Sequence, residues 1–395
     1  MEQRIPDKDM DLWVLAGQSN MLGCALHKEQ VDPDPRIALF NLDNEWIEAK
    51  PPLHRMFEAV APAYKNMLRG GSPNLTEEDF AKLRAESKVK PNGGVGPGFF
   101  FAKNIVNAVD RPVGLIPCAY GGTSTIDWDP VRKAEGGASL YGATLERIAM
   151  VGGNIKGILW YQGESDAGSA ELASAYKQTF LNLVDSFRQD TGIADLPFIY
   201  VQIGRLTASD LGGTHGWEQV REAQRTAAAK RENLHVVSAI DLPLDDIIHI
   251  SFDGHIRLGA RLAQVALKEV YGVEGCAGPI DVESVEIIEP VDMRNRIKVR
   301  FSGVSGKLRC GGEPTGFELR PREQRPGKPS IYRVDFEAQD PAAVILRHDP
   351  PIGEPIDLYY GSGLNPYVNI VDEKDIPIPA FGPVEIKPAA WAKES

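Results

Sequence analysis

Short apolar segments alternate with amphipathic helical patterns through the first 273 residues of this 395-residue chain. The apolar segments are predicted strands at residues 12–16, 113–119, 157–161, 198–203 and 235–240. Predicted helices cover residues 98–109, 140–151, 170–189, 217–231 and 252–271. Segments that are apolar throughout are typical of strands buried on both faces, and helices between them imply βαβ units. The pattern therefore predicts a three-layer α/β/α sandwich around a parallel sheet.

The pattern changes from about Cys276. β-forming residues cluster at residues 284–288, 296–301, 330–336 and 343–346, Gly and Pro lie between the clusters, and helical periodicity is lost. We therefore expect an α/β domain over residues 1–275 and a smaller β-rich accessory domain over residues 276–395. Because the sequence shows no flexible linker between them, we expect the second domain to dock on the first.

The segment of residues 54–98 is too long for an ordinary connection between a strand and a helix. Its polar composition and Gly-Pro-rich end predict a partly helical insertion. Two interpretations remain open: the insertion covers one rim of a functional site and selects substrate, or it is a surface excursion.

Charge and composition exclude several classes of partner. The formal net charge of -12 disfavours nucleic acid and anionic membranes. No apolar segment is long enough to span a membrane, and residues 1–10 lack the apolar stretch of a signal peptide. We expect a soluble protein, cytoplasmic as written, or secreted or periplasmic if a leader was removed. Its oligomeric state stays open.

The spacing of the four cysteines and the histidines gives no sign of a metal site, because no Cys or His cluster has zinc spacing. We therefore expect no metal and no cofactor. Cys24 and Cys118 fall in predicted core and are expected to be free thiols. Whether Cys276 and Cys310 form a disulfide is left open.

One serine lies where a parallel sheet places its chemistry. The first predicted strand leads directly into Gly17, Gln18, Ser19 and Asn20, at the carboxyl end where open α/β sheets bind ligands. A serine hydroxyl is a poor nucleophile alone. It needs a histidine base, a carboxylate that orients the base, and donors for an oxyanion.

Among seven histidines, His249 is the best candidate for that base. Asp246 precedes it by three residues in the same loop, so its carboxylate can reach the imidazole; Asp245 is the alternative. The nearby His255 falls on the apolar stripe of the predicted helix that follows Ser251. We therefore expect His255 to be a hydrogen-bonded core residue.

Four segments, in this order, resemble the SGNH (GDSL-like) hydrolases. They are the Gly-Gln-Ser-Asn segment at residues 17–20, Pro-Cys-Ala-Tyr-Gly-Gly-Thr at 117–123, Trp-Tyr-Gln-Gly-Glu-Ser-Asp at 160–166, and the Asp246 to His249 loop with the residues that follow it. Within that superfamily the chain is most similar to the sialate O-acetylesterase and acetylxylan esterase branch, carbohydrate esterase family six. The resemblance implies a flavodoxin-like catalytic domain with Ser19 as nucleophile, His249 as general base and Asp246 as its partner.

The resemblance also implies an oxyanion hole formed by the backbone amides of Ser19 and Gly121 and the side chain of Gln162. The wider superfamily has asparagine where Gln162 stands, and the carbohydrate esterase branch shares the glutamine. A glutamine amide can donate a hydrogen bond, whereas ionised Glu164 can only accept one. Glu164 either holds a loop or a sugar hydroxyl, or replaces Asp246 as the acid.

Five residues around these motifs are expected to contact the substrate: Gln18, Asn20, Gly122, Trp128 and Glu164. The ring of Trp128 suits the apolar face of a sugar, although a core position is nearly as well supported.

The resulting hypothesis is a serine esterase that removes O-acetyl groups from sialic acid or xylan-type carbohydrates. One alternative is a lipase or thioesterase on the same scaffold, which predicts an apolar acyl tunnel. Another is a carbohydrate-binding protein that has lost catalysis, against which the intact Ser19, Asp246 and His249 argue. A structural or interaction protein has no specific support in the sequence.

Overall fold

The structure is a computed structural model that describes residues 10–208, 214–291, 294–322 and 328–388. A seven-stranded sheet with strand order β3-β2-β4-β1-β5-β6-β7 forms its centre. The strands are β1 (Asp11–Gly17), β2 (Ile37–Phe40), β3 (Trp46–Glu48), β4 (Val113–Pro117), β5 (Asn154–Tyr161), β6 (Phe198–Gln202) and β7 (Leu234–Ser238). β3 pairs antiparallel with β2, and the other pairs are parallel.

Helices cover this sheet. They are α1 (Ser19–Leu22), α2 (Pro62–Gly71), α3 (Glu77–Val89), α4 (Gly98–Ala108), α5 (Leu140–Val151), α6 (Glu164–Ala167), α7 (Ala170–Thr191), α8 (Thr214–Ala227) and α9 (Phe252–Glu269). One group consists of α4 packed on α9, and another of α7 packed on α5 and α8. A large apolar core includes residues from the sheet and from both groups. The predicted α/β/α sandwich is confirmed, and its sheet is parallel except for β3.

Local signals placed several helix ends correctly. Helix α9 begins after Ser251, whose hydroxyl accepts the backbone N–H of Gly254, and α5 begins after Ser139, which caps Gly142 in the same way. Serine at an N-cap satisfies a donor that has no partner within the helix. Strands β2 and β3, at one side of the sheet, were not predicted, because they are short and become strands only through pairing.

The expected insertion contains α2 and α3, and its end lies beside the residues that follow Ser19 and α1. Val95 pairs with Ala25 through two backbone hydrogen bonds. A Cβ added at Gly94 would lie 2.7 Å from the backbone of Cys24, so the two segments touch. The end of the insertion therefore packs against the residues that follow α1, the short helix that begins with Ser19.

Antiparallel strands dominate the chain after residue 275. They are β8 (Asp281–Val291), β9 (Arg294–Ser302), β10 (Arg309–Cys310), β11 (Phe317–Pro321), β12 (Ser330–Phe336), β13 (Ala343–Asp349), β14 (Ile356–Tyr360), β15 (Ile370–Val371) and β16 (Phe381–Ile386). They form sheets in the orders β12-β13-β9-β8, β11-β14-β16 and β10-β15, with a second apolar core of their own. The β-rich C-terminal fold expected from the sequence is confirmed.

The two parts of the chain share hydrogen bonds. The Gln202 side chain, at the end of β6, accepts the backbone N–H of Ala380 and donates to the carbonyl of the same residue. Glu218 on α8 forms an ion pair with Arg320 on β11. Ile240, which follows β7, is packed in the second core. The β-rich part therefore lies directly against the α/β part.

Some sequence expectations concern single residues or termini. All four cysteines are free, so Cys276 and Cys310 are not bridged. The expectation about a leader falls on residues 1–10, of which 1–9 lie outside the described ranges. None of the helices in the described part of the chain is both long enough and apolar enough to cross a membrane.

Candidate active site

The candidate residues lie in four loops at one edge of the parallel sheet. Ser19 follows β1, Gly121 follows β4, Gln162 follows β5 and His249 lies on the loop after β7. Because neighbouring parallel strands end at the same edge, these loops converge there. The chain order and the sheet order differ, so only folding brings the four loops together.

Ser19 begins a one-turn helix that a glycine makes possible. Gly17 has φ of 122°, and a Cβ at this position would lie 2.1 Å from the carbonyl oxygen of Tyr161 on β5. The close approach of the two strand ends therefore requires glycine at this position. Ser19 itself is 9% exposed.

Gly121 lies directly beside Ser19, since a Cβ added to it would be 3.7 Å from the Ser19 Cβ. Within the described residues, the backbone N–H groups of Ser19 and Gly121 donate to no other protein atom. Two adjacent unoccupied donors are what an oxyanion site requires.

His249 and Asp246 form a direct hydrogen bond. His249 Nδ1 lies 2.7 Å from Asp246 Oδ2, and Asp246 Oδ1 accepts the backbone N–H groups of Ile248 and His249 at 2.8 and 2.7 Å. Partial burial opposes ionisation of Asp246, but the hydrogen bonds prevail and lower the pKa of its carboxyl group. The carboxylate is thus kept charged and aimed at one ring nitrogen of His249.

The alternative acids are held elsewhere. Asp245 Oδ2 accepts the backbone N–H of Leu26 at 3.1 Å. Glu164 Oε1 accepts the Asn20 side chain at 2.7 Å. Of the three candidates, Asp246 is the one whose carboxylate meets the imidazole.

Cys24 is a neighbour of His249 that the sequence analysis did not assign to the site. Its Sγ lies 3.6 Å from the carbonyl oxygen of Ser19. Contact with this thiol, followed by the hydrogen bond to Asp246, raises the pKa of His249 to about 9 despite partial burial. A cysteine five residues after the serine carries no sequence signal for this contact.

Gln162 does not point a free amide toward Ser19. Its Nε2 donates to the Asp166 carboxylate and, at 3.1 Å, to the carbonyl of Thr123. Both N–H groups are therefore used within the protein, and the side chain is fully buried. This arrangement does not support the expectation that Gln162 is the third oxyanion donor, because both of its N–H groups already have acceptors within the protein.

Three residues expected to contact substrate lie beneath the surface instead. Gln18 Oε1 accepts the backbone N–H groups of Gly163 and Ser165, both at 3.3 Å. Asn20 is 1% exposed and Glu164 is 5% exposed, and they bind each other. These side chains connect loops of the site, so the structure does not support substrate contact for them.

Gly122 and Trp128, the remaining candidates for substrate contact, differ in exposure. Gly122 is exposed with φ of 70°, and a Cβ there would meet no atom within 4 Å, so the backbone is open to a ligand. Trp128 is fully buried, donates to Thr123 Oγ1 at 3.1 Å and packs edge-on against Trp160. Its ring has no free face for a sugar, which favours the core interpretation.

The β-rich part also reaches this edge of the sheet. Leu206, after β6, donates its backbone N–H to Leu364 at 2.9 Å, and Arg205 donates to the Asn365 side chain. Thr207, which follows Leu206, donates its backbone N–H to the carbonyl of Ile247, two residues before His249. The sequence analysis did not predict these contacts of the β-rich part, because contacts between residues 160 positions apart leave no local pattern.

Comparison with known proteins identifies the family. Residues 9–268 match the family described as carbohydrate esterase, sialic acid-specific acetylesterase. A probable carbohydrate esterase from Arabidopsis thaliana is 32% identical over 277 residues, which cover 67% of this chain and 94% of that protein. The crystal structure of the Arabidopsis protein superposes with a TM-score of 0.51 and 28% identity, over 66% of this chain and 98% of the other.

A second solved structure shares the fold over most of the chain. The crystal structure of a carbohydrate acetylesterase from Xanthomonas citri superposes with a TM-score of 0.67 and 20% identity, covering 94% of this chain and 80% of the other. Coverage of this extent includes much of the β-rich C-terminal part. From the family match and the Arabidopsis relative, we conclude that this chain belongs to the sialic acid-specific acetylesterase family of carbohydrate esterases and is a carboxylic ester hydrolase.

Proposed function

We propose that this chain removes O-acetyl groups from carbohydrates through a triad of Ser19, His249 and Asp246. The observation that carries the proposal is the 2.7 Å hydrogen bond between Asp246 and His249. The loop that holds them is also bonded to Asn20, the residue after Ser19. A carboxylate that orients an imidazole beside a serine is the arrangement that activates a hydroxyl nucleophile.

The reaction proceeds by two displacements. Ser19 Oγ attacks the acetyl carbonyl while His249 accepts the hydroxyl proton, and Asp246 stabilises the resulting imidazolium. His249 then donates that proton to the departing sugar oxygen, which leaves acetylated Ser19. A water molecule gives a proton to His249 and attacks the acetyl carbon. Acetic acid departs as His249 returns the proton to Ser19, and it ionises to acetate in solution.

The oxyanion of each tetrahedral intermediate is bound by the backbone N–H groups of Ser19 and Gly121. Their adjacency and their lack of other acceptors within the described residues support this role. One donor of this kind contributes a factor of about 10² to 10³ to turnover. Gln162 is omitted from this set, because Asp166 and Thr123 occupy its amide.

The proposed substrate is an acetylated sialic acid or an acetylated xylan-type sugar. The family description names sialic acid, and the relatives from Arabidopsis and Xanthomonas are described as carbohydrate esterases. The exposed backbone at Gly122 lies open to the sugar. The net charge of -12 disfavours nucleic acid and anionic membranes as partners.

We also propose that residues 1–275 form the catalytic domain, with residues 54–98 as an insertion, and that residues 276–395 form an accessory domain docked on it. The separate apolar core of the β-rich part and the Gln202–Ala380 hydrogen bonds support this division.

Ser19→Ala tests the proposal. We expect acetate release to fall by several orders of magnitude with little change in thermal unfolding, because the members of a triad act as a unit. Ser174→Ala, on the exposed face of α7, is the matched control and is expected to retain full activity. A Ser19→Ala variant within tenfold of the parent would refute the assignment.

Substrate class is tested by acetate release from acetylated xylan, acetylated sialic acids and peracetylated monosaccharides, measured side by side. A series of nitrophenyl esters of increasing acyl length accompanies them. Preference for long acyl chains would favour the lipase-like alternative. Failure of an organophosphonate to label Ser19 in the folded parent would favour a protein that binds carbohydrate without catalysis.

A further inference from the structure

The side chain of Asn20 binds the backbone on both sides of His249. Its Oδ1 accepts the N–H of Ile250 at 2.9 Å, and its Nδ2 donates to the carbonyl of Ile248 at 3.4 Å. Asn20 is the residue after Ser19 and is 1% exposed. A single carboxamide thus connects the segment of the proposed nucleophile with the segment of the proposed base, 230 residues apart in sequence.

Glu164 determines which way this carboxamide points. Glu164 Oε1 accepts Asn20 Nδ2 at 2.7 Å, and an ionised carboxylate can only accept hydrogen bonds. The amide nitrogen must therefore face Glu164, which leaves the amide oxygen facing the N–H of Ile250. With the opposite orientation, the amide oxygen would face the carboxylate and its nitrogen would face another donor.

Glu164 is itself held in a buried position. It lies in α6, directly after the loop that follows β5, and is 5% exposed. Burial raises the pKa of its carboxyl group, and the hydrogen bond from Asn20 opposes that rise. Within the described part of the chain, its second oxygen Oε2 is buried without a hydrogen-bond partner. A buried carboxylate with an unpartnered oxygen costs free energy, which marks Glu164 as a candidate for a specific task.

We propose that Asn20 and Glu164 form a positioning pair that sets the distance and orientation between Ser19 and His249. This inference rests on the proposed function, because it assigns a task to two residues that support the triad without touching substrate. A displacement of about 1 Å in a catalytic group can lower turnover by about 10²-fold. The pair therefore acts on kcat, while substrate affinity depends on other groups.

Three variants test the pair through the polarity of its hydrogen bond. Asn20→Asp places a second carboxylate against Glu164 and against the carbonyl of Ile248. Glu164→Gln retains an acceptor for Asn20. In the double variant, which combines both substitutions, the new glutamine amide can donate to the new aspartate carboxylate. The bond then returns with its direction reversed, and the total charge of the pair is that of the parent.

We expect Asn20→Asp to lower kcat about 10²-fold with KM within a factor of about three of the parent. The kcat of Glu164→Gln should lie within tenfold of the parent value. The kcat of the double variant should be at least tenfold higher than that of Asn20→Asp. The rate at which an organophosphonate labels Ser19 should follow the same order. Asn104→Asp, an exposed change on α4, is the matched control and should leave kcat unchanged.

Thermal unfolding separates positioning from folding. If Asn20→Asp does not fold, Asn20→Ser carries the same expectation, because it removes the carboxamide without bringing two carboxylates together. A folded Asn20 variant with the kcat of the parent would overturn the inference. So would a double variant as slow as Asn20→Asp. A raised KM at constant kcat would overturn it too, because Asn20 would then belong to substrate binding.

Failure of this inference is distinguishable from failure of the proposed function. Ser19→Ala and His249→Ala are measured in the same series. If those two variants stay active, the triad itself is wrong. If they are inactive while Asn20→Asp has the kcat of the parent, only the positioning pair is wrong.

Discussion

Two histidines six residues apart occupy opposite environments. The His249 side chain is 24% exposed and bonded to Asp246, whereas His255 is fully buried on α9. Burial lowers the pKa of His255 to about 3, so this ring is neutral. The sequence placed His255 in the core correctly. Its expected hydrogen bond is not found, because neither ring nitrogen has a partner among the described residues.

Alanine variants of these two histidines should separate catalysis from stability. We expect His249→Ala to lose nearly all turnover with a small change in unfolding, because its ring lies at the edge of the sheet. His255→Ala should lower the free energy of unfolding by about 1–3 kcal/mol, because it leaves a cavity, and the folded fraction should remain active. Melting temperature and turnover are measured on both. An inactive, stable His255→Ala beside an active His249→Ala would contradict the assignment.

The Cys24 contact predicts an unusual pH profile. A general base must be unprotonated, and the pKa of His249 is raised to about 9, first by Cys24 and then by Asp246. We therefore expect kcat/KM to rise with pH toward a midpoint near 9, after spontaneous ester hydrolysis is subtracted. Cys24→Ala should move the midpoint to lower pH, and Cys276→Ala, outside the site, should not. An unchanged midpoint in Cys24→Ala would exclude this contact as the cause.

At the scale of elements, the junction of β1 and α1 depends on Gly17. Its φ of 122° and the 2.1 Å approach of a Cβ to the Tyr161 carbonyl leave no room for a side chain. We expect Gly17→Ala to destabilise the fold by more than about 2 kcal/mol, because the pairing of β1 with β5 must open. Chemical denaturation of the purified variant measures this.

Gly70→Ala is the matched control for that prediction. Gly70 lies in α2, and a Cβ there would meet no atom within 4 Å. Alanine favours a helix over glycine by about 1 kcal/mol, so this variant should be as stable as the parent or more so. Equal stability of Gly17→Ala and the parent would show that the two strand ends can separate at little cost.

Elements with strong local signals were predicted well. The bounds of α5 match the prediction, since a capping serine precedes it and a glycine follows it. Strands β1, β4, β5, β6 and β7 were found because each contains a run of mainly apolar residues. Strands β2 and β3 were missed, since a three- or four-residue segment becomes a strand only when a neighbour pairs with it.

At the scale of the molecule, Arg221 joins the β-rich part to the α/β part. It is fully buried on α8, and its guanidinium donates to the carbonyls of Gly204, Gly363 and Leu364. We expect Arg221→Met to lower stability by about 3 kcal/mol, because buried carbonyls lose their donors. Limited proteolysis should cut first near residues 361–366. Thermal unfolding and mass spectrometry of the fragments test both expectations.

Arg322→Met is the comparison for Arg221→Met. Arg322 makes exposed ion pairs with Asp357 and Glu385, and exposed pairs contribute about 0–1 kcal/mol. Its loss should therefore be nearly neutral. If the two variants were equally stable, the contacts of Arg221 would not hold the two parts together.

The sequence by itself determined the alternation of helices with five strands of the central sheet, the β-rich C-terminal part and the candidates Ser19 and His249. These follow from periodicity, capping and motifs, which are local. The tertiary structure decided what the polar side chains bind. It bonded the Gln162 amide to the carbonyl of Thr123, buried Trp128, and joined Asn20 to both Glu164 and the His249 loop. The physical reason is that a buried polar group bonds whichever partner folding brings near, and those partners lie more than a hundred residues away for Asn20.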